Sequence, residues 1–462
     1  MSDEARFSAG EEELAERLAR GRLPSLSTEL TDVSEVEYRQ VRLERVVLAS
    51  LWTQGTQAEA DDAMAELADL ADTAGSQVVG SLSQRRDAPD PATYVGSGKV
   101  DEIKQIVEAT GADTVIADGE LSPAQLRNLE DRLGVRVVDR AMLILDIFAQ
   151  HARSVEGKTQ VELAQLNYLK QRLRGWGDSL SRQVGGRAAG GVGIGGRGPG
   201  ETKIETDRRR INTRVAILRR RLKGMATTRE LSRNTRRRDQ VPSVAIVGYT
   251  NAGKSSLLNR LTDADVMVED ALFATLDPTT RRVRGADGRV YTCTDTVGFV
   301  RHLPTDLVEA FKSTLEETAQ ADLLVHVVDG SGNDPLGQVA AVRAVLAQIG
   351  ADHVQELMVV NKIDVAADET LAALRHALPG AICVSAVTGE GVDDVRAAIE
   401  ARLPRPGVLV EALVPWSRGD LIDKAHRTGE VIEAEPTPEG TRLKARVHPG
   451  LAAELAGFPA VA

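Results

Sequence analysis

The stretch Gly248-Tyr249-Thr250-Asn251-Ala252-Gly253-Lys254-Ser255 constrains this chain more than any other. The apolar run Val244-Ala245-Ile246-Val247 before it reads as a buried strand, and Ser256-Leu257-Leu258-Asn259-Arg260-Leu261 after it reads as a helix. A G-x-x-x-x-G-K-[ST] pattern between strand and helix is a phosphate-binding loop. Its glycines let backbone N–H groups turn inward around a phosphate, and the helix start adds its positive dipole end. Lys254 would reach the β- and γ-phosphates, and the Ser255 hydroxyl would ligate Mg2+, with Ser256 next along the helix. A glycine turn ahead of an ordinary helix is the plain alternative, and the strand before and the helix after argue against it.

The signals that follow narrow the nucleotide. Phe273-Ala274-Thr275-Leu276-Asp277 begins about twenty residues after Lys254, where a first switch segment would run, and Thr275 would offer Mg2+ a second oxygen only while a γ-phosphate is present. Asp295-Thr296-Val297-Gly298 closes the predicted strand Val290 to Thr294. There Asp295 would hold Mg2+ through its water shell, and the Gly298 N–H would contact the γ-phosphate. Asn361-Lys362-Ile363-Asp364 closes the predicted strand Leu357 to Val360. A carboxylate at Asp364 can accept both N1–H and the 2-amino group of guanine, a pair of donors that adenine lacks, so it decides for GTP over ATP. Ser385-Ala386, after the predicted strand Ala381 to Val384, would support the base from the other side. Each short match is weak alone, but all of them in this order at strand ends leave little room for coincidence. Lys254, Thr275 and Gly298 are therefore the expected catalytic set.

Phe299 stands where a glutamine often orients the attacking water. It cannot polarise water, so hydrolysis should be slow unless another group or a bound partner assists. Asn251 is similar to the asparagine of GTPases that recruit K+ beside the phosphates.

At 462 residues the chain exceeds one ordinary core, and length alone suggests about three domains. No run of 18 apolar residues occurs, since Asp146 breaks the longest candidate, Ala141 to Ala149, so no membrane span is expected. Asp3, Glu4 and Glu11 to Glu13 occupy the place of a signal peptide's basic and apolar start, which predicts a cytoplasmic protein. Cys293 and Cys383 are the only cysteines, too few for a disulfide framework or a cysteine metal site. Nothing demands more than a monomer.

The net charge of −11 argues against nucleic acid until its distribution is examined. Lys203 to Arg238 holds 14 Lys or Arg against Glu205, Asp207 and Glu230, leaving a basic segment on an acidic protein. Residues 1–38 are acid-rich and poorly periodic and read as an extension. From there to residue 152, predicted strands and helices alternate as in a covered parallel sheet. The helix expected to start at Val100 follows Tyr94-Val95-Gly96-Ser97-Gly98-Lys99, an incomplete phosphate-loop look-alike that reads as a turn. Residues 153–238 pattern as two long helices, with Leu163, Leu166, Leu169 and Leu173 facing Ile211, Val215, Leu218, Leu222 and Met225. That predicts a helical hairpin whose glycine-rich loop, Gly185 to Gly200, lies near the tip. Arg187 and Arg197 in the loop, with Arg208, Arg209 and Arg210 beyond it, are candidate RNA contacts, the alternatives being a flexible linker for the loop and a solvated charge run for the helix. Residues 241–404 hold the nucleotide motifs, and 407–462, after a Pro-Gly linker, read as a small α+β module, either a docking domain or a bare structural cap. The expected fold class is thus α/β: a P-loop GTPase domain preceded by a parallel α/β domain and a helical hairpin, and followed by a small α+β domain.

Together these residues resemble the HflX family of translational GTPases, within the Obg-like group, over about residues 42–462. The resemblance rests on Tyr94 to Lys99, on Gly193 to Arg210 reading G-I-G-G-R-G-P-G-E-T-K-I-E-T-D-R-R-R, and on Phe273 to Asp277 and Asp295 to Phe299. It implies a GTPase that binds the large ribosomal subunit and its rRNA and splits idle or stalled ribosomes with GTP bound. The family's ribosome-approaching loop maps onto about Gly185 to Gly200, and its tolerance of an apolar residue after Asp-Thr-Val-Gly matches Phe299. Residues 1–38 depart from the shortest family members. A ribosome-assembly or rRNA-remodelling GTPase is the open alternative.

Overall fold

A computed structural model describes residues 45–185, 199–238, 241–262, 272–286, 289–301, 307, 311–404, 407–447 and 449–459. The acidic extension and the glycine-loop arginines Arg187 and Arg197 lie outside them. The described chain forms two compact units, one built mainly from residues up to Lys223 and the other from Gly224 onward.

The first unit opens as strictly alternating β and α: β1 (Arg45–Trp52), α1 (Gln57–Thr73), β2 (Gln77–Arg85), α2 (Ser97–Thr110), β3 (Thr114–Ala117), α3 (Pro123–Leu133), β4 (Arg136–Asp139) and α4 (Arg140–His151). The strands pair in parallel in the order β2-β1-β3-β4. β3 is buried along its whole length, as expected for a strand covered on both faces. Local chemistry sets the helix ends. Thr56 with Glu59 and Ser122 with Gln125 form reciprocal capping boxes, and Gly111 and Gly134 close α2 and α3 in the left-handed conformation. α2 starts three residues earlier than the apolar pattern implied, because Gly96 acts as its N-cap without a side-chain hydrogen bond.

Two long helices follow, α5 (Val155–Gly185) and α6 (Pro199–Arg238). Leu163 and Leu166 pack against Ile211, Val215 and Leu218, with Leu169 and Leu222 beside them. Arg214 grips Glu162 through two bonds of 2.5 and 3.0 Å. One buried residue ties α5 to the sheet domain: Asp139, at the end of β4, caps the Met142 N–H of α4 at 2.9 Å. It also accepts from the Tyr168 hydroxyl at 2.6 Å and from Arg172 at 2.8 Å.

The second unit is built on β5 (Ser243–Gly248), α7 (Lys254–Thr262), β6 (Thr279–Arg284), β7 (Val290–Asp295), α8 (Lys312–Ala319), β8 (Leu323–Asp329), α9 (Pro335–Gln348), β9 (Glu356–Asn361), α10 (Asp368–Ala377), β10 (Ile382–Cys383) and α11 (Val392–Arg402). Its sheet runs β10-β9-β8-β5-β7-β6, parallel except for the antiparallel edge strand β6. Val244, Ile246, Val325, Val327, Leu357 and Val359 fill the core beneath α7 and α11. The C-terminal module is a separate antiparallel sheet, β11-β13-β12, from β11 (Val408–Val414), β12 (Glu430–Thr437) and β13 (Gly440–Val447). α12 (Gly419–Thr428) and a closing helix absent from the sequence reading, α13 (Pro449–Leu455), supply Leu421, Ala425, Leu451 and Leu455 to its core.

Candidate nucleotide-binding site

Every nucleotide motif lies at the carboxyl edge of the six-stranded sheet, the side on which open α/β sheets bind ligands. Gly248 leaves β5 with φ 152°, and a Cβ there would sit 2.2 Å from the Val327 carbonyl oxygen, so the loop closes against β8 only without a side chain. Gly253 (φ 89°) passes equally close to the Asn361 amide, and Asn251 between them is exposed at φ 56°. A small cleft is lined by Thr250, Asn251, Gly253, Lys254, Ser255, Ser256, Phe273, Ala274, Thr275 and Gly298.

Lys254 is buried and donates to the Tyr249 carbonyl at 2.7 Å. Burial pushes its ammonium down to about 8; Asp295 works against this, and Lys362 adds to it. The Ser255 hydroxyl donates to Asp295 Oδ2 at 2.6 Å and meets the Thr275 hydroxyl at 3.0 Å. Asp295 is 2% exposed, and its Oδ1 has no hydrogen-bond partner. Burial raises its carboxyl above the usual range, opposed by Lys254 and the Ser255 hydroxyl. A buried carboxylate with an oxygen to spare, beside two hydroxyls, is a hard-oxygen donor set that suits Mg2+ shared with phosphates.

The segment after Asp295 folds onto the phosphate loop. A Cβ on Gly298 would lie 2.7 Å from Thr250 Cγ2 and 3.1 Å from Lys254 Nζ, so only glycine allows this approach. Thr296 donates to the Ile246 carbonyl at 2.8 Å, and Val297 is buried beside it. Phe299 pairs with Tyr249 as an isolated parallel bridge: Thr250 N–H donates to its carbonyl at 2.7 Å, and its own N–H donates to Gly248 at 3.2 Å. Its ring is 1% exposed and turned away from solvent. Phe273 is also buried, at φ 57°, and anchors the segment that carries Ala274, Thr275, Leu276 and Asp277.

On the base side, Asn361 bridges two loops. Its amide donates to the Ala252 carbonyl at 2.9 Å, and its Oδ1 accepts from Ala386 N–H at 3.0 Å. Lys362 (φ 63°) pairs with Asp329 at 2.7 Å, and Ile363 N–H donates to Val384 at 3.3 Å. Asp364 is exposed just past β9, and the buried Ser385 accepts from Thr388 N–H at 3.1 Å. Arg208, Arg209 and Arg210 belong to the other unit, on α6, where Arg209 and Arg210 are exposed and Arg208 is half-buried.

Contacts to backbone carbonyls and a tyrosine hydroxyl went unseen in the sequence, because such acceptors leave no residue pattern. The Tyr249 hydroxyl accepts from Arg301 N–H at 2.7 Å, and the Arg301 guanidinium meets Asp334, the N-cap of α9, at 2.5 Å. Arg260, at the far end of α7, reaches the base loop.

Family models described as GTP-binding GTPase N-terminal, GTP-binding GTPase Middle Region and 50S ribosome-binding GTPase match residues 61–149, 151–236 and 243–362. The protein named GTPase HflX from Caldanaerobacter subterraneus subsp. tengcongensis is 47% identical over 375 residues, 81% of this chain and 85% of its own. GTPase HflX from Lacrimispora saccharolytica is 44% identical over 93% of this chain and 98% of its own, and that from Escherichia coli K12 48% identical over 72% and 76%. Among solved structures, a GTP-binding protein from Sulfolobus solfataricus in complex with GDP aligns over 77% of this chain and 98% of its own, at 25% identity and a TM-score of 0.39.

Proposed function

The chain belongs to the HflX family of GTPases and hydrolyses GTP, and from that premise we propose that it acts with GTP bound on the large ribosomal subunit, splitting or rescuing idle or stalled ribosomes. The observation that carries this reading is the meeting of Ser255, Thr275 and Asp295 beside Lys254, with Gly298 pressed against the same loop. Two segments that a γ-phosphate would hold thus converge on one point, as a nucleotide-dependent switch needs.

In this reading Lys254 and the loop amides bind the β- and γ-phosphates, and Asp364 reads guanine with Ser385 and Ala386 behind the base. Ser255 and Thr275 would hold Mg2+ directly and Asp295 through water; bound there, the ion neutralises phosphate charge. Asn251, exposed in the loop, is the residue that would offer K+ an oxygen. Phe299 contributes only backbone bonds and a buried ring, so this position has no group to orient water. Hydrolysis is then slow alone and faster on the ribosome, with release following it. Arg208, Arg209 and Arg210 of α6 and the loop residues Arg187 and Arg197 make the rRNA contacts. No described helix is long and apolar enough to cross a membrane.

Sedimentation of intact ribosomes with the protein and a non-hydrolysable GTP analogue tests this. Dissociation into subunits is the expected result; a response confined to immature subunits would replace the proposal with a role in assembly.

A further inference from the structure

Ala386 is held by both of its backbone polar groups. Its N–H donates to Asn361 Oδ1 at 3.0 Å, and its carbonyl accepts from Arg260 Nε at 2.9 Å. The same guanidinium reaches the carbonyl of Val387 through Nη2, so one planar fork spans two successive carbonyls. Ser385 and Ala386 are buried, Ala386 within the core beneath α7, but Val387 is 70% exposed, and the remaining hydrogen bonds close the turn on itself, from Thr388 and Gly389 back to Ser385. Arg260 lies on α7, whose first residues are Lys254 and Ser255, so a single helix carries the phosphate-side groups at one end and the grip on the base-side loop at the other. Arg396 of α11 braces that end by donating to the carbonyls of Arg260 and Leu261 at 3.4 and 3.5 Å.

We infer that Arg260 is a positioning residue that sets how long guanine nucleotide stays bound, by holding the Ser385–Val387 loop against the base while α7 holds the phosphates. The inference rests on the assignment of Ser385 and Ala386 to the base. Loss of the fork frees the loop to open without disturbing Lys254, Ser255 or Thr275. Release of the base should therefore quicken while the chemical step at saturating GTP does not change.

The test is stopped-flow release of fluorescently labelled GDP from the full chain and from Arg260→Met, Arg260→Lys and Arg343→Met, with steady-state turnover and thermal melting alongside. Arg343→Met removes a comparable cation, one paired with Glu356 on β9, and serves as the control for lost stability alone. Loss of a charge-assisted hydrogen bond predicts release faster by about tenfold in Arg260→Met. KM for GTP should rise with kcat retained, and Arg260→Lys, which restores one bond but not the fork, should fall between. Release rates in Arg260→Met equal to wild type, or quickened equally in Arg343→Met, would overturn the inference. Failure of the wild type to bind labelled GDP would instead remove the assignment of the site on which it rests.

Discussion

In the proposed site, Asp364 is the residue on which nucleotide choice would depend. Its carboxylate is exposed past β9 and positioned by its neighbours: Asn361 is tied to two loops, and Lys362 to Asp329. Asp364→Asn exchanges one acceptor for a donor, so guanine selection over xanthine should be lost while the fold is kept. Competition binding with GDP and XDP checks this, and an unchanged preference for GDP would contradict it. Lys254 makes a second prediction. Its ammonium is pushed down to about 8 by burial, so the unfolded chain holds more protons than the folded one between that pH and the ordinary lysine value near 10.5. Stability of the nucleotide-free protein should therefore rise with pH across this window, because folding there releases a proton. Phosphate reverses the preference. Binding GDP at pH 8 should take up about half a proton through Lys254, measurable by calorimetry in buffers of different ionisation enthalpy. The two glycines of the loop, the lysine and the three acidic or hydroxyl groups were legible in the sequence because phosphate chemistry demands those residue types at those intervals. The Phe299 bridge and the Arg260 fork were not, since each acts through backbone carbonyls that any residue could supply.

Among the elements, the inner strands of the two sheets, such as β1, β3, β5 and β8, were the most legible: buried along most of their length, they read as short continuous apolar runs, whereas the edge strand β2 is only half-buried. β6 was not legible. Its sequence, Thr279 to Arg284, is polar except for Val283 and pairs only along one edge, so no apolar period marks it. α6 shows the converse. It is strongly polar overall, and only the seam of Ile211, Val215 and Leu218 against α5 revealed it as a packed helix. Besides its packing on α3 and α4, α5 is tied to the sheet domain by Asp139, at 2% exposure, which serves Met142, Tyr168 and Arg172 together. Asp139→Ala leaves a guanidinium and a hydroxyl without their acceptor and should cost about 3–5 kcal/mol. Tyr168→Phe, removing one bond, should cost about 1 kcal/mol. Urea unfolding of both variants reads the difference, and near-equal midpoints would refute the shared anchor. Glu356, on β9, adds a pH signature. Burial would raise its carboxyl, but hydrogen bonds from His326 and Arg343 outweigh this and hold it down to about 2. The stability it contributes is present above the ordinary carboxylate range and lost as pH falls toward 2, so Glu356→Gln should weaken the protein at pH 7 more than at pH 3.

Across the whole molecule, a GTPase site in one unit accompanies a basic helical hairpin that lies mostly in the other, α6 running on past Lys223, on a chain whose net charge is −11. In the proposed function that uneven charge would let a polyanion such as ribosomal RNA be attracted by one basic arm of an acidic protein, giving orientation as well as affinity. Nothing in the sequence of the C-terminal module indicated chemistry, and its three-stranded sheet with two helices on one face brings none together among the described residues. The buried ring of Phe299 gives that position no group to orient water, and in the proposed function a bound partner would supply it. The most direct measurement is single-turnover GTP hydrolysis by the full chain, alone and with saturating large ribosomal subunits. The expected rate on the subunit is at least about tenfold above the rate alone, modest beside the gains that partner-supplied groups give other GTPases. Equal rates in the two conditions would contradict it.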